Sequence, residues 1–172
     1  MSPLLPTTYD AREIANFILD RCEILQRDIS NLSLQKIVYF CHVWVLTALE
    51  RPLIREQFEA WEFGPVLPYL YREFRDCEDR RITKRATKLD KTTGQKVLAA
   101  YAFEPDVLPL LSEVVDKYSA LKPYQLVQIS HERGGPWDQV WNHKGKINAG
   151  MRISDALIAE FYSAKSRPTA VQ

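Results

Sequence analysis

Six thiol and imidazole side chains in this sequence have chemistry suited to a metal or to nucleophilic catalysis. They are Cys22, Cys41, His42, Cys77, His131 and His143. A protein zinc site usually shows ligand spacings such as C-x-x-C or H-x-x-x-H, and neither spacing occurs here. Cys41 and His42 are neighbours, so on a helix they would point about 100° apart. The sequence therefore predicts no metal and no other cofactor.

Ser130, His131 and Asp138 have the residue types of a catalytic triad. Adjacent residues on a helix do not face each other, so Ser130 and His131 make a poor nucleophile–base pair. The sequence also lacks the G-x-S-x-G motif of a nucleophile elbow. A Cys/His hydrolase that uses Cys41 or Cys77 with His131 stays open as an alternative. The pattern favours a protein that is not an enzyme, with no catalytic residues.

Composition and charge exclude further classes. The 172 residues are 46% hydrophobic and 26% charged, which is typical of one globular domain. A net charge of +1 does not indicate a nucleic-acid partner, and neither a Walker motif nor G-x-G-x-x-G is present. Three cysteines do not form a disulfide framework, which fits a reducing, cytoplasmic location. The N-terminus does not resemble a signal peptide.

Periodicity predicts a mainly α-helical (α+β) domain around one central helix. A first helix begins near Asp10, which forms a capping box with Glu13. The next, at about 33–50, is apolar on nearly all faces and is therefore expected to be buried. It contains fewer than the roughly 20 consecutive apolar residues that span a membrane. We expect no membrane partner.

Residues near 55–63 alternate like a short strand, and Gly64-Pro65 is expected to break that strand. Either Pro65 or Pro68 can then open a third helix. Residues 76–96 are polar and predict a loop with a short hairpin within 80–100. Further helices are predicted at 107–118, at 122–131 and from Ser154 onwards, where Ser154 is the N-cap.

The four tryptophans differ in their surroundings. Trp44 lies on the central helix and is expected to be in the core. Trp61, Trp137 and Trp141 lie in or beside irregular segments, where a large aromatic side chain either stabilises a turn or anchors a partner. The sequence leaves both alternatives open for these three residues.

Three blocks of sequence resemble the Panacea antitoxin domain, a family that includes SocA-like and phage-associated GepA-like proteins. The blocks are LSLQKIVYFCHVWVLTALERPLI at 32–54, FEAWEFGPVLPYLYREFR at 58–75 and SHERGGPWDQVW at 130–141. They are similar to the family's L-Q-K-L-L-Y-F-A, E-A-W-x-x-G-P-V-x-P and T-H-x-x-x-P-W blocks, in the same order. Ser130 replaces the family's common threonine, and 76–96 matches nothing firm.

The resemblance implies an antitoxin domain at 9–162, between an N-terminal extension at 1–8 and a flexible tail at 163–172. It implies a bacterial, often prophage-associated protein that neutralises a cognate toxin by binding it, or an adaptor that delivers the toxin to the ClpXP protease. We expect the partner surface to include eight residues of the second and third blocks: Trp61, Phe63, Gly64, Pro65, Tyr69, His131, Pro136 and Trp137. The loop 76–96 is a candidate second contact.

Overall fold

A computed structural model describes residues 7–143 and 149–165. Within them lie seven α-helices: α1 (Ala11–Ile24), α2 (Asn31–Leu49), α3 (Pro68–Glu73), α4 (Leu108–Tyr118), α5 (Pro123–Ser130), α6 (Pro136–Trp141) and α7 (Asp155–Tyr162). The strands are β1 (Phe58–Trp61), β2 (Gly64–Val66), β3 (Thr87–Leu89), β4 (Lys96–Leu98) and β5 (Arg152–Ile153). Most of the predicted N-terminal extension and flexible tail lies outside the described residues.

The predicted mainly α-helical fold is confirmed, and its centre is α2. Its N-cap is Ser30, whose side chain accepts a hydrogen bond from the Ser33 N–H, and the helix ends where Glu50 adopts a left-handed φ of 53°. Helices α1, α4, α5 and α7 and strand β2 all pack against α2. By length and composition α2 could cross a membrane, but most of it is buried inside the domain. The surrounding elements explain why its sequence is apolar on nearly every face.

Buried polar contacts fix the helices around α2. The His42 imidazole accepts a hydrogen bond from the Ile54 N–H at Nδ1, so its Nε2–H donates to Asp155 at 2.8 Å. The Trp44 indole donates to the Tyr118 hydroxyl at 2.8 Å, which links α2 to α4. Trp44 is buried, as predicted.

The expectation that Gly64-Pro65 breaks the strand is wrong. The chain turns tightly at 62–63, and Gly64 and Pro65 form β2, antiparallel to β1 with Trp61 opposite Gly64. Proline is tolerated because β2 is an edge strand in a sheet of order β2-β1-β5. Pro68, not Pro65, opens α3. Strand β5, which pairs with β1, was not predicted because two residues are too short to show a periodicity.

The predicted hairpin within 80–100 is confirmed as β3–β4. One buried side chain, Asn16 of α1, attaches it to the domain. The Asn16 amide donates to the carbonyls of Ala86 and Ala99, both at 3.0 Å, and its oxygen accepts from the Ala86 N–H at 2.8 Å. These bonds fix the two ends of the hairpin on α1.

Replacing Asn16 by leucine, which has a similar volume, should lower the free energy of unfolding by about 2–4 kcal/mol, because two buried backbone groups, the Ala86 N–H and the Ala99 carbonyl, lose their partner. Urea unfolding measures this, and hydrogen exchange should show faster exchange at Ala86. Asn142→Leu is the control, since Asn142 is exposed and bonds to Asp138 only one helical turn away. Equal stability of the two variants would contradict the role given to Asn16.

Candidate functional site

A groove with a volume of about 430 Å³ lies between α2, the β1–β2 hairpin and the segment that follows α3. We call it the aromatic groove. Twelve residues line it: Asn31, Leu32, Gln35, Lys36, Trp61, Glu62, Phe63, Val66, Tyr71, Arg75, Glu78 and Asp79. Five of the lining residues are apolar or aromatic and seven are polar or charged, so the groove offers both kinds of contact.

Trp61 and Phe63 give the groove its aromatic surface. The Trp61 ring meets Tyr71 edge to face with 5.3 Å between ring centroids, and its indole N–H donates to Glu59 at 2.9 Å. Phe63 stands at the hairpin turn and is 58% exposed. An exposed phenylalanine beside a half-buried tryptophan is the kind of surface that a protein partner covers.

A second aromatic cluster supports the hairpin from the side of α6. The Trp137 indole donates to the Trp61 carbonyl at 2.8 Å. The His131 imidazole stacks face to face on Trp137 with 3.5 Å between ring centroids, and Trp141 stacks at 5.7 Å. Trp137 is only 6% exposed, so in this structure it holds β1 in place.

Two side chains of α2 satisfy the outer edge of β2. Pro65 and Leu67 are two residues apart, so their backbone polar groups point the same way, towards α2. The Leu67 N–H donates to the Gln35 amide oxygen at 3.2 Å, and the Lys36 ammonium donates to the Pro65 carbonyl at 3.1 Å. Both side chains are buried. Without them, this edge would be buried and unpaired.

Burial lowers the pKa of Lys36 from 10.5 to about 7. Because the folded-state pKa lies below the ordinary value, the unfolded chain binds this proton more tightly. Lys36 therefore makes the free energy of unfolding rise with pH between about 7 and 10.5. Burial first, and then the positive charge of Lys36, lower the pKa of His131, whereas Asp138 raises it. The lowered pKa values of Lys36 and His131 both disfavour positive charge beneath the hairpin.

The structure separates the eight predicted partner residues by location. Trp61 and Phe63 line the aromatic groove, whereas Gly64, Pro65 and Pro136 are buried. His131 and Trp137 form the cluster behind β1. Tyr69 lies apart from the groove: its hydroxyl accepts the Ala11 N–H at 3.1 Å, and the Arg12 guanidinium lies over its ring.

The thiol–imidazole alternative gains no geometric support. Cys41 is fully buried, and burial raises its thiol pKa well above the usual range, which disfavours the nucleophilic thiolate. Cys77 lies in a 3₁₀ turn at Arg75–Cys77, and among the described residues neither thiol hydrogen bonds to His131. Within 7–143 and 149–165, no three His, Cys, Asp or Glu side chains lie together as metal ligands.

Sequence reasoning missed the residues of the groove that come from α2 and from the segment after α3. Arg75, Glu78 and Asp79 carry no local pattern, because they are brought to the groove by tertiary packing alone, whereas Tyr71 belongs to the apolar pattern of α3. Lys36 did carry a signal. It is a charged residue inside a helix that was predicted to be buried on nearly all faces. Such a residue is costly unless it has a partner or a function.

Comparison with known proteins identifies relatives over most of the chain. A sequence model described as "Antitoxin SocA-like, Panacea domain" matches residues 34–138. Antitoxin SocA of Caulobacter vibrioides (strain NA1000 / CB15N) is 39% identical over 163 residues, which covers 93% of this chain and 87% of the relative. No solved structure matches the chain significantly. The family match includes ten of the twelve groove residues, all but Asn31 and Leu32, together with His131 and Trp137 of the cluster behind it.

Gly64→Ala should lower the free energy of unfolding by about 3 kcal/mol or more, since Gly64 has a φ of +109° and an added Cβ would lie 2.5 Å from Lys36 Cε and 2.7 Å from Ser130 Oγ. The matched control is Gly94→Ala. Gly94 also has a positive φ, +69°, but open space around it, so we expect a loss of about 1 kcal/mol. Urea unfolding compares the two, and a Gly64 effect no larger than the control would contradict the packing described.

Proposed function

The chain belongs to the family of SocA-like antitoxins with a Panacea domain, and we propose that it neutralises a toxin protein by binding it directly through the aromatic groove. The observation that carries the proposal is the exposed aromatic surface of Phe63 and Trp61 beside the groove. Buried aromatic anchors supply much of the binding energy at protein interfaces. Blocking of the toxin's active surface is then a steric consequence of binding.

The hairpin β1–β2 presents this surface on a rigid support. Its free edge is bound to α2 through Gln35 and Lys36, and Trp137 holds it from the other side. A surface that is already ordered loses little conformational entropy when it binds, which favours affinity. Gly64, Pro65, Pro136 and Trp137 contribute to binding through this support, whereas Trp61 and Phe63 make the contact.

The groove alone is too small for a complete interface. A stable protein–protein interface buries about 800 Å² per partner, which is more than one or two anchor side chains provide. The hairpin β3–β4 offers further apolar surface, because Leu89 and Leu98 lie on the same face of it and are both exposed. We propose this hairpin as the second contact. It lies mostly within the loop 76–96 and ends at Leu98.

Phe63→Ala should weaken toxin binding by about 30-fold or more, the effect of losing one interface hot spot of about 2 kcal/mol. Tyr124→Ala is the matched control, since Tyr124 is 59% exposed on α5 and does not line the groove. Each variant is co-expressed with the product of the reading frame next to this gene, and growth is measured. Full growth rescue by a folded Trp61→Ala, Phe63→Ala double variant would exclude the groove as the contact.

Delivery of the toxin to the ClpXP protease is the second candidate mechanism, and it rests on the family resemblance rather than on a feature of the groove. It predicts that the toxin's half-life falls severalfold only when this protein and the protease are both present. Pulse-chase measurement in strains with and without the protease tests this. Full rescue with an unchanged half-life leaves stoichiometric binding, and rescue by far less than one equivalent of this protein would instead support a hydrolase.

A further inference from the structure

Lys36 lines the aromatic groove without a counterion. Its side chain is 0% exposed, and its ammonium donates to one acceptor, the Pro65 carbonyl. Among the described residues no carboxylate forms an ion pair with it. His131, which directly follows α5, is a titratable neighbour whose pKa is lowered by the positive charge of Lys36. Within the described part of the chain, no carboxylate therefore neutralises Lys36 by direct contact.

The structural task of Lys36 does not require an ammonium. Holding the Pro65 carbonyl uses one of the three N–H donors, and a neutral amide or hydroxyl could do the same. An isolated buried charge is destabilising, and a neutral donor such as glutamine could bind the Pro65 carbonyl without that cost. Groups kept at a cost to stability are concentrated at functional sites.

We propose that Lys36 binds a carboxylate of the toxin: one aspartate or glutamate side chain of a toxin segment enters the aromatic groove and forms an ion pair with Lys36 Nζ. The proposal rests on the function proposed above and adds the chemistry that the groove selects. Trp61 and Phe63 then cover the apolar neighbours of that acidic residue. Because the pKa of the free Lys36 is about 7, binding at higher pH takes up a proton onto Nζ.

The charges at the rim of the groove favour particular residues on either side of the acidic residue in the toxin segment. Glu62 from the hairpin turn and Glu78 and Asp79 from the segment after α3 add three negative charges, against one positive charge from Arg75. A segment with several acidic residues is repelled by this rim, whereas basic residues on both sides of a single acid complement it. An internal segment can supply basic residues on both sides, so a side-chain carboxylate fits better than a chain terminus.

Entry of the carboxylate requires the groove wall to open, because Lys36 has no exposed surface in the unbound protein. Glu62 and Phe63 at the hairpin turn are both exposed, so their side chains can move without disrupting the core. The ion pair then lies in the buried surroundings of Lys36. A charge pair formed in such surroundings is worth more than one on the surface.

Isothermal titration with the purified toxin from the co-expression experiment tests the proposal. We expect Lys36→Met to bind at least about 100-fold more weakly than the wild type, because the toxin's carboxylate would be buried without its partner. Lys36→Met also leaves the buried Pro65 carbonyl unpaired, so a cooperative melting transition at pH 7 is recorded first to show that the free variant is folded. Lys36→Gln, which keeps an N–H donor at this position, should lose binding to a similar extent. Lys117→Met, which removes an ion-paired lysine from α4, is the control and should bind normally.

A double-mutant cycle identifies the partner group. Each Asp or Glu of the toxin is changed in turn to Asn or Gln. One of these changes should weaken binding to the wild type as much as Lys36→Met does, and it should not weaken binding to Lys36→Met any further. Titration at pH 8 in two buffers of different ionisation enthalpy should show uptake of about one proton by the wild type and none by Lys36→Met. Normal binding by Lys36→Met overturns this inference alone, whereas no binding by the wild type overturns the proposed function itself.

Discussion

The free edge of a short strand is the constraint on which the rest of this domain depends. Strand β2 has β1 on one side and only α2 on the other, and a buried strand edge with unpaired backbone groups would be unstable. Gln35 and Lys36 meet this need from inside a helix that is apolar over most of its surface. Their position explains why two polar residues interrupt the most hydrophobic segment of the chain, and it fixes the distance between α2 and the hairpin.

The same strand edge also connects the residues that pack beneath the hairpin with the aromatic residues that face the groove. An N–H at position 65 would point towards α2, where Lys36 and Gln35 bind only the Pro65 carbonyl and the Leu67 N–H. Proline has no N–H, so it is suited to this position of β2. Glycine precedes it because the space of a side chain at 64 is already occupied by Lys36 and Ser130. Gly64 and Pro65 of the family motif thus serve packing. Trp61 and Phe63, which precede them, face outwards from that packing.

Local signals predicted the helices well. The capping box of Asp10 with Glu13, the Ser154 N-cap and the apolar surface of α2 all depend on neighbours in sequence, and all three agree with the structure. The turn at 62–63 was misplaced because Gly64-Pro65 usually ends a strand, while here an edge position accommodates it. The groove itself was not predictable, since Trp61, Tyr71 and Lys36 are brought together by contacts far apart in sequence.

Asn16 attaches the β3–β4 hairpin through main-chain atoms alone, and this has a consequence for how the domain can diverge. Backbone carbonyls and amides are the same whatever side chains they carry, so this anchor makes no demand on the identity of residues 87–98. Substitutions within the hairpin can therefore leave the Asn16 hydrogen bonds intact, even where they remove side-chain contacts such as the ion pair of Lys88 with Glu13. A domain built this way can vary the surface of this hairpin while its core remains unchanged.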